Sequence, residues 1–224
     1  MMTAYIEKIS YYLPELNKAL AESGKMILLS ILAAIVFGLP IGTFVYLSKK
    51  IPNRSNRWIG VLLNGYINIV RSFPFLLFVV ALIPFTRLVL GTAFGTYAAA
   101  LPLSFVAVAL YARLVEQVLL EIPNEILELA RSLGCTKYQL IFRFLYIEAR
   151  SGLVLSLTSV IISMVSYSTV MGVIGGGGIG DFALRYGYQR YEYEVMYTAI
   201  VLMILFVSFI QISGSKIAKK INKK

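Results

Sequence analysis

Five apolar runs divide this chain, each long enough to cross a hydrocarbon core of about 30 Å. They cover 26–47, 58–85, 91–112, 153–171 and 195–213, and the only charge inside any of them is Arg71. Prolines fall within three of the runs, among them Pro40, Pro74 and Pro102. Lipid tolerates such prolines where neighbouring helices satisfy the freed carbonyls, which favours a packed bundle over isolated anchors. The pattern predicts an all-α membrane protein of five transmembrane helices. Ahead of the first run, Tyr5, Ile9, Tyr12, Leu13, Leu16 and Leu20 recur at helical spacing. That makes 1–25 an amphipathic segment, lying at the outer interface or packed across a partner subunit.

The longest polar stretch between two such runs is 116–150, within a loop spanning 113–152. Its spacing predicts two short helices. Pro123 suits a first helical turn. Ile126, Leu129, Ala130 and Leu133 then share a face, and Gly134 supplies a left-handed stop. Thr136, followed three residues later by Gln139, fits the capping box of a second helix. Leu140, Ile141, Phe144, Leu145 and Ile147 line one side of that helix. Spacing alone allows an amphipathic hairpin at the interface or a surface on which a partner docks.

Charge placement orients the chain. Of 21 Lys and Arg residues, 14 lie in 48–57, 113–152 and 214–224, against 6 in 1–25, 86–90 and 172–194. Basic loops stay cytoplasmic, so the N-terminus is expected outside and the C-terminus inside. The net charge of +10 therefore points to lipid headgroups rather than nucleic acid, and the basic tail 216–224 anchors the last span. Hydrophobic residues make up 58% of the chain and mean hydropathy is +0.78, too apolar for a soluble domain. A single transmembrane domain over 26–215 follows. The first run is longer than a signal-peptide core and lacks a small-residue cleavage pattern.

Candidate chemistry is sparse. With one cysteine, Cys135, and no histidine, neither an internal disulfide nor a zinc site can form, and Cys135 reads as a small turn residue. No metal, cofactor or catalytic set is expected. Ser163, Ser166 and Ser168 lack a base, so they hydrogen-bond between helices or line a polar path, with Tyr167 and Met171 in the same stretch. The glycine-rich run 172–181 lacks the Lys-Ser/Thr of a phosphate-binding loop. It reads as a bent external segment beside a substrate path, or as a plain flexible loop.

Arg71 lies 13 residues past Trp58, about 20 Å along a helix. Centring an Arg there costs on the order of 2.5–3.5 kcal/mol. Pro74 cannot bond to the carbonyl of Val70, and that oxygen could accept from the guanidinium. Arg71 is thus either a staple of a kinked helix or, with Ser72 and Pro74, part of a path or gate.

Several of these motifs resemble a known family. Glu128-Leu129-Ala130, Gly134, Phe144 and Glu148-Ala149 resemble the "EAA…G" cytoplasmic loop of ABC-importer permeases. The pattern departs at Leu129, where a small residue is usual, and at Tyr146-Ile147, where Leu-Pro is usual. Gly38-Leu39-Pro40-Ile41-Gly42, Val70-Arg71-Ser72-Phe73-Pro74-Phe75, Ile83-Pro84-Phe85-Thr86-Arg87 and Gly175-Gly176-Gly177-Gly178-Ile179-Gly180 are similar to the methionine-uptake subfamily.

The resemblance implies a type I ABC-importer permease fold, a homodimer and two copies of a separate ABC ATPase subunit. It also implies an extracellular substrate-binding protein or lipoprotein and a substrate such as D- or L-methionine. Glu128, Ala130, Gly134 and Thr136 would then shape the ATPase-coupling surface, and Arg71, Ser72, Pro74, Tyr167, Ser168 and Met171 the substrate path or gate. The rival class, an ion-coupled secondary transporter or channel, usually carries ionisable groups inside its spans, and the apolar runs here hold only Arg71.

Overall fold

The computed structural model describes residues 2–50 and 54–222, with side chains from Glu7 to Lys50 and from Arg57 to Asn222. The side chain of Tyr5, and Lys223 and Lys224, all read from the sequence as contributors to terminal segments, lie outside what is described. The elements in order are α1 (Met2–Ala33), α2 (Leu39–Lys50), α3 (Arg54–Ser72), α4 (Phe75–Leu90), α5 (Thr96–Leu120), α6 (Asn124–Ser132), α7 (Lys137–Gln139), α8 (Tyr146–Val173), α9 (Ile179–Phe182) and α10 (Tyr193–Ile221). Wider π-helical turns at Ala34–Gly38 and Leu140–Leu145 join neighbouring helices into longer rods, and a third at Ala183–Tyr188 extends α9.

The first of these turns has a visible cause. Pro40 has no N–H to give to the carbonyl of Val36 and would crowd it. The helix widens just before it, and the Leu39 N–H reaches back to the Ala34 carbonyl. Lipid leaves no water to satisfy a broken ladder, so a local change of pitch is the economical repair. The rod then runs unbroken over Glu7–Lys50.

Pro74 has the opposite effect. Its ψ of 128° is extended, and a residue preceding proline is biased away from helix. The second apolar run therefore breaks instead of kinking, and Arg57–Ser72 meets Phe75–Leu90 at 116°. Among the described residues, four helices are long and apolar enough to span a membrane, or five if this bent pair counts as one. The upper figure is the five-helix expectation.

Helix α5 forms the axis of the bundle. Ala99, Leu103, Ala107, Ala112, Val115 and Leu119 are among its buried residues, and α1, α2, α3 and α8 pack around it. Two glycines one turn apart, Gly38 and Gly42, set the closest approach, as small residues do where helices meet in lipid. A Cβ at Gly42 would stand 2.3 Å from the Ala112 carbonyl oxygen and 2.9 Å from Val115 Cβ.

The N-terminal segment also finds its partner within the chain. Tyr12, Leu16 and Ala19 are buried against Ile179, Phe182, Val195 and Ala199, and Lys8 Nζ bonds to Glu194 at 2.8 Å. Leu13 and Leu20, expected on the same face, are exposed. The buried stripe is narrower because it fits between α9 and α10.

A direct check uses the Gly42 contact. Gly42→Val should cost roughly 1–3 kcal/mol, the usual penalty for overpacking, and lower the melting temperature of purified protein. Gly65→Ala serves as control, since no atom lies within 4 Å of a Cβ there, and its melting temperature should stay close to that of the parent.

Candidate functional site

The polar hairpin after α5 is built from capping chemistry. Pro123 sits one residue earlier than expected, at the cap of α6 with ψ 142°. The helix ends on Gly134, whose φ is +66°. There the Gly134 N–H bonds to Arg131 O at 3.0 Å and the Cys135 N–H to Ala130 O at 3.1 Å, the paired bonds of a Schellman stop. Next, the Thr136 N–H bonds to Gln139 Oε1 at 2.9 Å, while the Gln139 N–H bonds to Thr136 Oγ1 at 3.3 Å. The expected capping box is present. From Lys137 the helix runs through to Val173, so the second half of the hairpin and a candidate span are one rod.

The buried face of α6 differs from the expected one. Leu127 and Ala130 point inward, joined by Ile122, and pack with Leu140 and Leu145. Leu129 and Leu133 are 55% and 64% exposed. Ala130, expected on the coupling face, is buried against its own chain and seats α6 there. Glu128, Gly134 and Thr136 are exposed. So are Tyr138 and Phe142, whose rings lie 4.5 Å apart. Ile147 also turns outward, because the π-helical turn at Leu140–Leu145 inserts extra rotation and brings Ala149 inward instead.

Beneath the hairpin lies a charged group absent from the sequence expectations. Glu116, assigned there to the loop, sits in α5 with its side chain 1% exposed. Its carboxylate takes Lys49 Nζ at 2.5 Å and Arg113 Nη1 at 2.7 Å. Arg113 Nη2 also donates to Asn64 Oδ1 at 3.0 Å and to Asn68 Oδ1. Lys50 reaches Asn124, the first residue of α6, at 2.9 Å. Helices α2, α3, α5 and α6 are thus tied at one end of the bundle. Arg113 and Glu116 stand three apart, a helical-neighbour signal that was readable had the helix been extended past 112.

The residues expected along a path fall into two groups. Arg71 and Ser72 occupy the last turn of α3, exposed at the corner, and no side-chain hydrogen bond or ion pair of Arg71 occurs among the described residues. The staple to the Val70 carbonyl is not formed, because the chain leaves the helix at Phe73. Pro74 caps α4 and aims Phe75 at α8, where it stacks on Tyr167 with centroids 4.4 Å apart. Ser168 is fully buried, donating to Val165 O at 2.8 Å, and Met171 is buried in the main core. Ser163 and Ser166 face outward and donate to carbonyls one turn back.

The glycine run is held by hydrogen bonds from two other parts of the chain. Gly178 N–H donates to Glu22 Oε2 at 2.8 Å and Ile179 N–H to Ser23 Oγ at 2.9 Å, while Gly95 N–H donates to Gly175 O at 2.9 Å. Gly178 has φ +84°, a conformation that glycine adopts at little cost. A cavity of about 440 Å³ opens beside the run, with Lys18, Glu22, Asp181 and Arg185 on its walls.

Comparison with known proteins places this arrangement. The chain is 39% identical over 187 residues to a probable D-methionine transport system permease protein, MetI, of Vibrio cholerae, covering 84% of this chain and 83% of that one. It is 39% identical over 193 residues to the corresponding protein of Pasteurella multocida, covering 86% and 89%. A chain from inward-facing conformations of the MetNI methionine ABC transporter superposes with a TM-score of 0.89 at 35% identity, covering 95% of this chain and 98% of that chain. Residues 34–223 match the model for binding-protein-dependent transport system inner membrane components, and the chain belongs to that family.

Proposed function

We propose that this chain is the membrane-spanning permease subunit of an ATP-driven importer of methionine, in its D form, its L form or both. The substrate reading is supported by the relatives, which are named for D-methionine transport. The observation that carries the mechanism is the double-capped hairpin continuous with α8. A force applied at α6 has a rigid path into a span, since the π-helical turn between α7 and α8 preserves the helix.

The chain carries no phosphate-binding loop, and the energy comes from separate ATPase subunits, two per complex. They dock on the exposed side of the hairpin, where Leu129, Leu133, Tyr138 and Phe142 add apolar area around Glu128, Gly134 and Thr136. Ala130 contributes by letting α6 sit close to its own bundle. The N-terminus lies outside and the C-terminus inside, following the distribution of Lys and Arg. A second copy of the chain faces the first, with the path between them, and an extracellular binding protein or lipoprotein delivers substrate. Arg71, Ser72 and Pro74 form a gate at the corner between α3 and α4. Tyr167, Ser168 and Met171 support it from α8, where the Phe75–Tyr167 stack fixes the corner.

Reconstitution tests this reading. Vesicles holding the chain, its ATPase and its binding protein should accumulate labelled methionine only with ATP inside the ATPase compartment. Uptake that ignores ATP and follows an ion gradient would contradict it.

Two substitutions probe the parts. Gly134→Val places a β-branched residue at φ +66°, at a cost of roughly 1–2 kcal/mol. The chain should still insert, with ATP hydrolysis persisting while uptake falls; unchanged uptake would remove Gly134 from coupling. Arg71→Ala should leave folded yield and melting temperature unaltered, because the side chain makes no hydrogen bond or ion pair among the described residues, yet reduce uptake. Arg71→Lys should recover part of that loss by keeping the charge. A lower melting temperature in both variants would return Arg71 to a structural role.

A further inference from the structure

Where α2 ends and α3 begins, a second cavity of about 370 Å³ is lined by Ser48, Lys49, Arg57, Gly60, Val61 and Asn64. It takes no part in the hairpin, the corner or the glycine run. Gly60 allows the two helices to close up, for a Cβ there would stand 2.3 Å from Ser48 Oγ.

Lys49, Arg57 and Asn64 on its walls present donors, while Ser48 is left as an acceptor only. Asn64 Oδ1 accepts from Arg113, which turns the amide NH2 to the remaining space. Ser48 Oγ spends its proton on Val45 O at 2.7 Å. Lys49 gives one N–H to Glu116, and its side chain is still 48% exposed. Arg57 has no acidic partner among the described residues. No carboxylate is among the lining residues, and Glu116, which Lys49 reaches, is buried and shared by two cations. Such a pocket suits a monoanion with several acceptor oxygens.

Its surroundings identify the source of that anion. Val61, on the pocket wall, shares a helical stripe with Trp58 and Leu62, and the three are 57%, 73% and 72% exposed. Trp is the residue of the headgroup layer, and an apolar stripe one turn beyond it is where an acyl chain would lie. We propose that this cavity is a binding site for an anionic phospholipid, with the phosphodiester held by Arg57, Lys49 and Asn64 and one acyl chain along Trp58, Val61 and Leu62. The site requires only that this end of the bundle meets a headgroup layer, so it stands apart from the choice of transported substrate.

Native mass spectrometry of the purified complex tests it, with phosphatidylglycerol, phosphatidylcholine and inorganic phosphate as separate probes. One phosphatidylglycerol per chain should be retained, in preference to phosphatidylcholine. Arg57→Gln should weaken that retention about fivefold, the worth of one basic residue at a lipid surface, while Arg57→Lys stays close to the parent. Melting temperatures of both variants in phosphatidylcholine nanodiscs should match the parent, which separates lost binding from lost folding. Equal retention by Arg57→Gln, or equal retention of phosphatidylcholine, would overturn the proposal. So would inorganic phosphate that displaces the lipid, since the pocket would then hold a free anion.

Discussion

A carboxylate taken out of water costs several kcal/mol even after the protein relaxes around it, and Glu116 is taken out almost completely. Its position is tenable because Lys49 and Arg113 approach each of its two oxygens, and because Asn64 and Asn68 occupy Arg113 in turn. Removing a single member of such a group exposes the others to the full cost, on the order of 3–5 kcal/mol. Three helices must therefore keep their ends in register for any of them to be stable there. Geometry, more than net energy, is what this group contributes, since a well-packed apolar cluster would stabilise the same contact as well.

That register reaches the hairpin. Lys49 grips the end of α5, and its neighbour Lys50 grips Asn124 at the start of α6. Above them α6 is seated by Ala130 and Leu127, and its stop and the following cap leave no free hinge before α8. In a permease driven by an external ATPase, movement delivered to α6 thus has two routes into the spans. One runs through the continuous helix into α8, the other through the buried ions into α2, α3 and α5. Two of the described ion pairs meet here on Glu116, while others join Lys8 to Glu192 and Glu194 and Arg185 to Asp181, and Arg71, at the corner of α3 and α4, has no ion pair among the described residues.

Helical periodicity, run length and cap residues were legible in the sequence because each acts over one or two turns. The Schellman stop at Gly134, the capping box at Thr136 and the apolar runs all belong to this class. What could not be read depends on neighbours far along the chain. Pro74 breaks its helix where the chain turns extended, and the corner this makes is met from far along the chain by Tyr167, on which Phe75 stacks. The face of α6 rotated because Leu140 and Leu145, set by a π-helical turn, offered a seat to Leu127 and Ala130. Glu116 looked like a loop residue because its partner Lys49 lies 67 positions away. The pinned glycine run depended similarly on Glu22 and Ser23, 156 positions earlier.

The central claim is that the buried Glu116 group makes the hairpin and the spans move as one body. The most direct measurement is the amount of substrate taken up per ATP hydrolysed by a reconstituted complex carrying Glu116→Gln, alone and together with Lys49→Gln. The account expects Glu116→Gln to insert and hydrolyse ATP with a lowered melting temperature and less uptake per ATP. The double variant should be little worse than Glu116→Gln alone, because the partners act through one contact. A ratio of uptake to hydrolysis equal to the parent's in Glu116→Gln would contradict it.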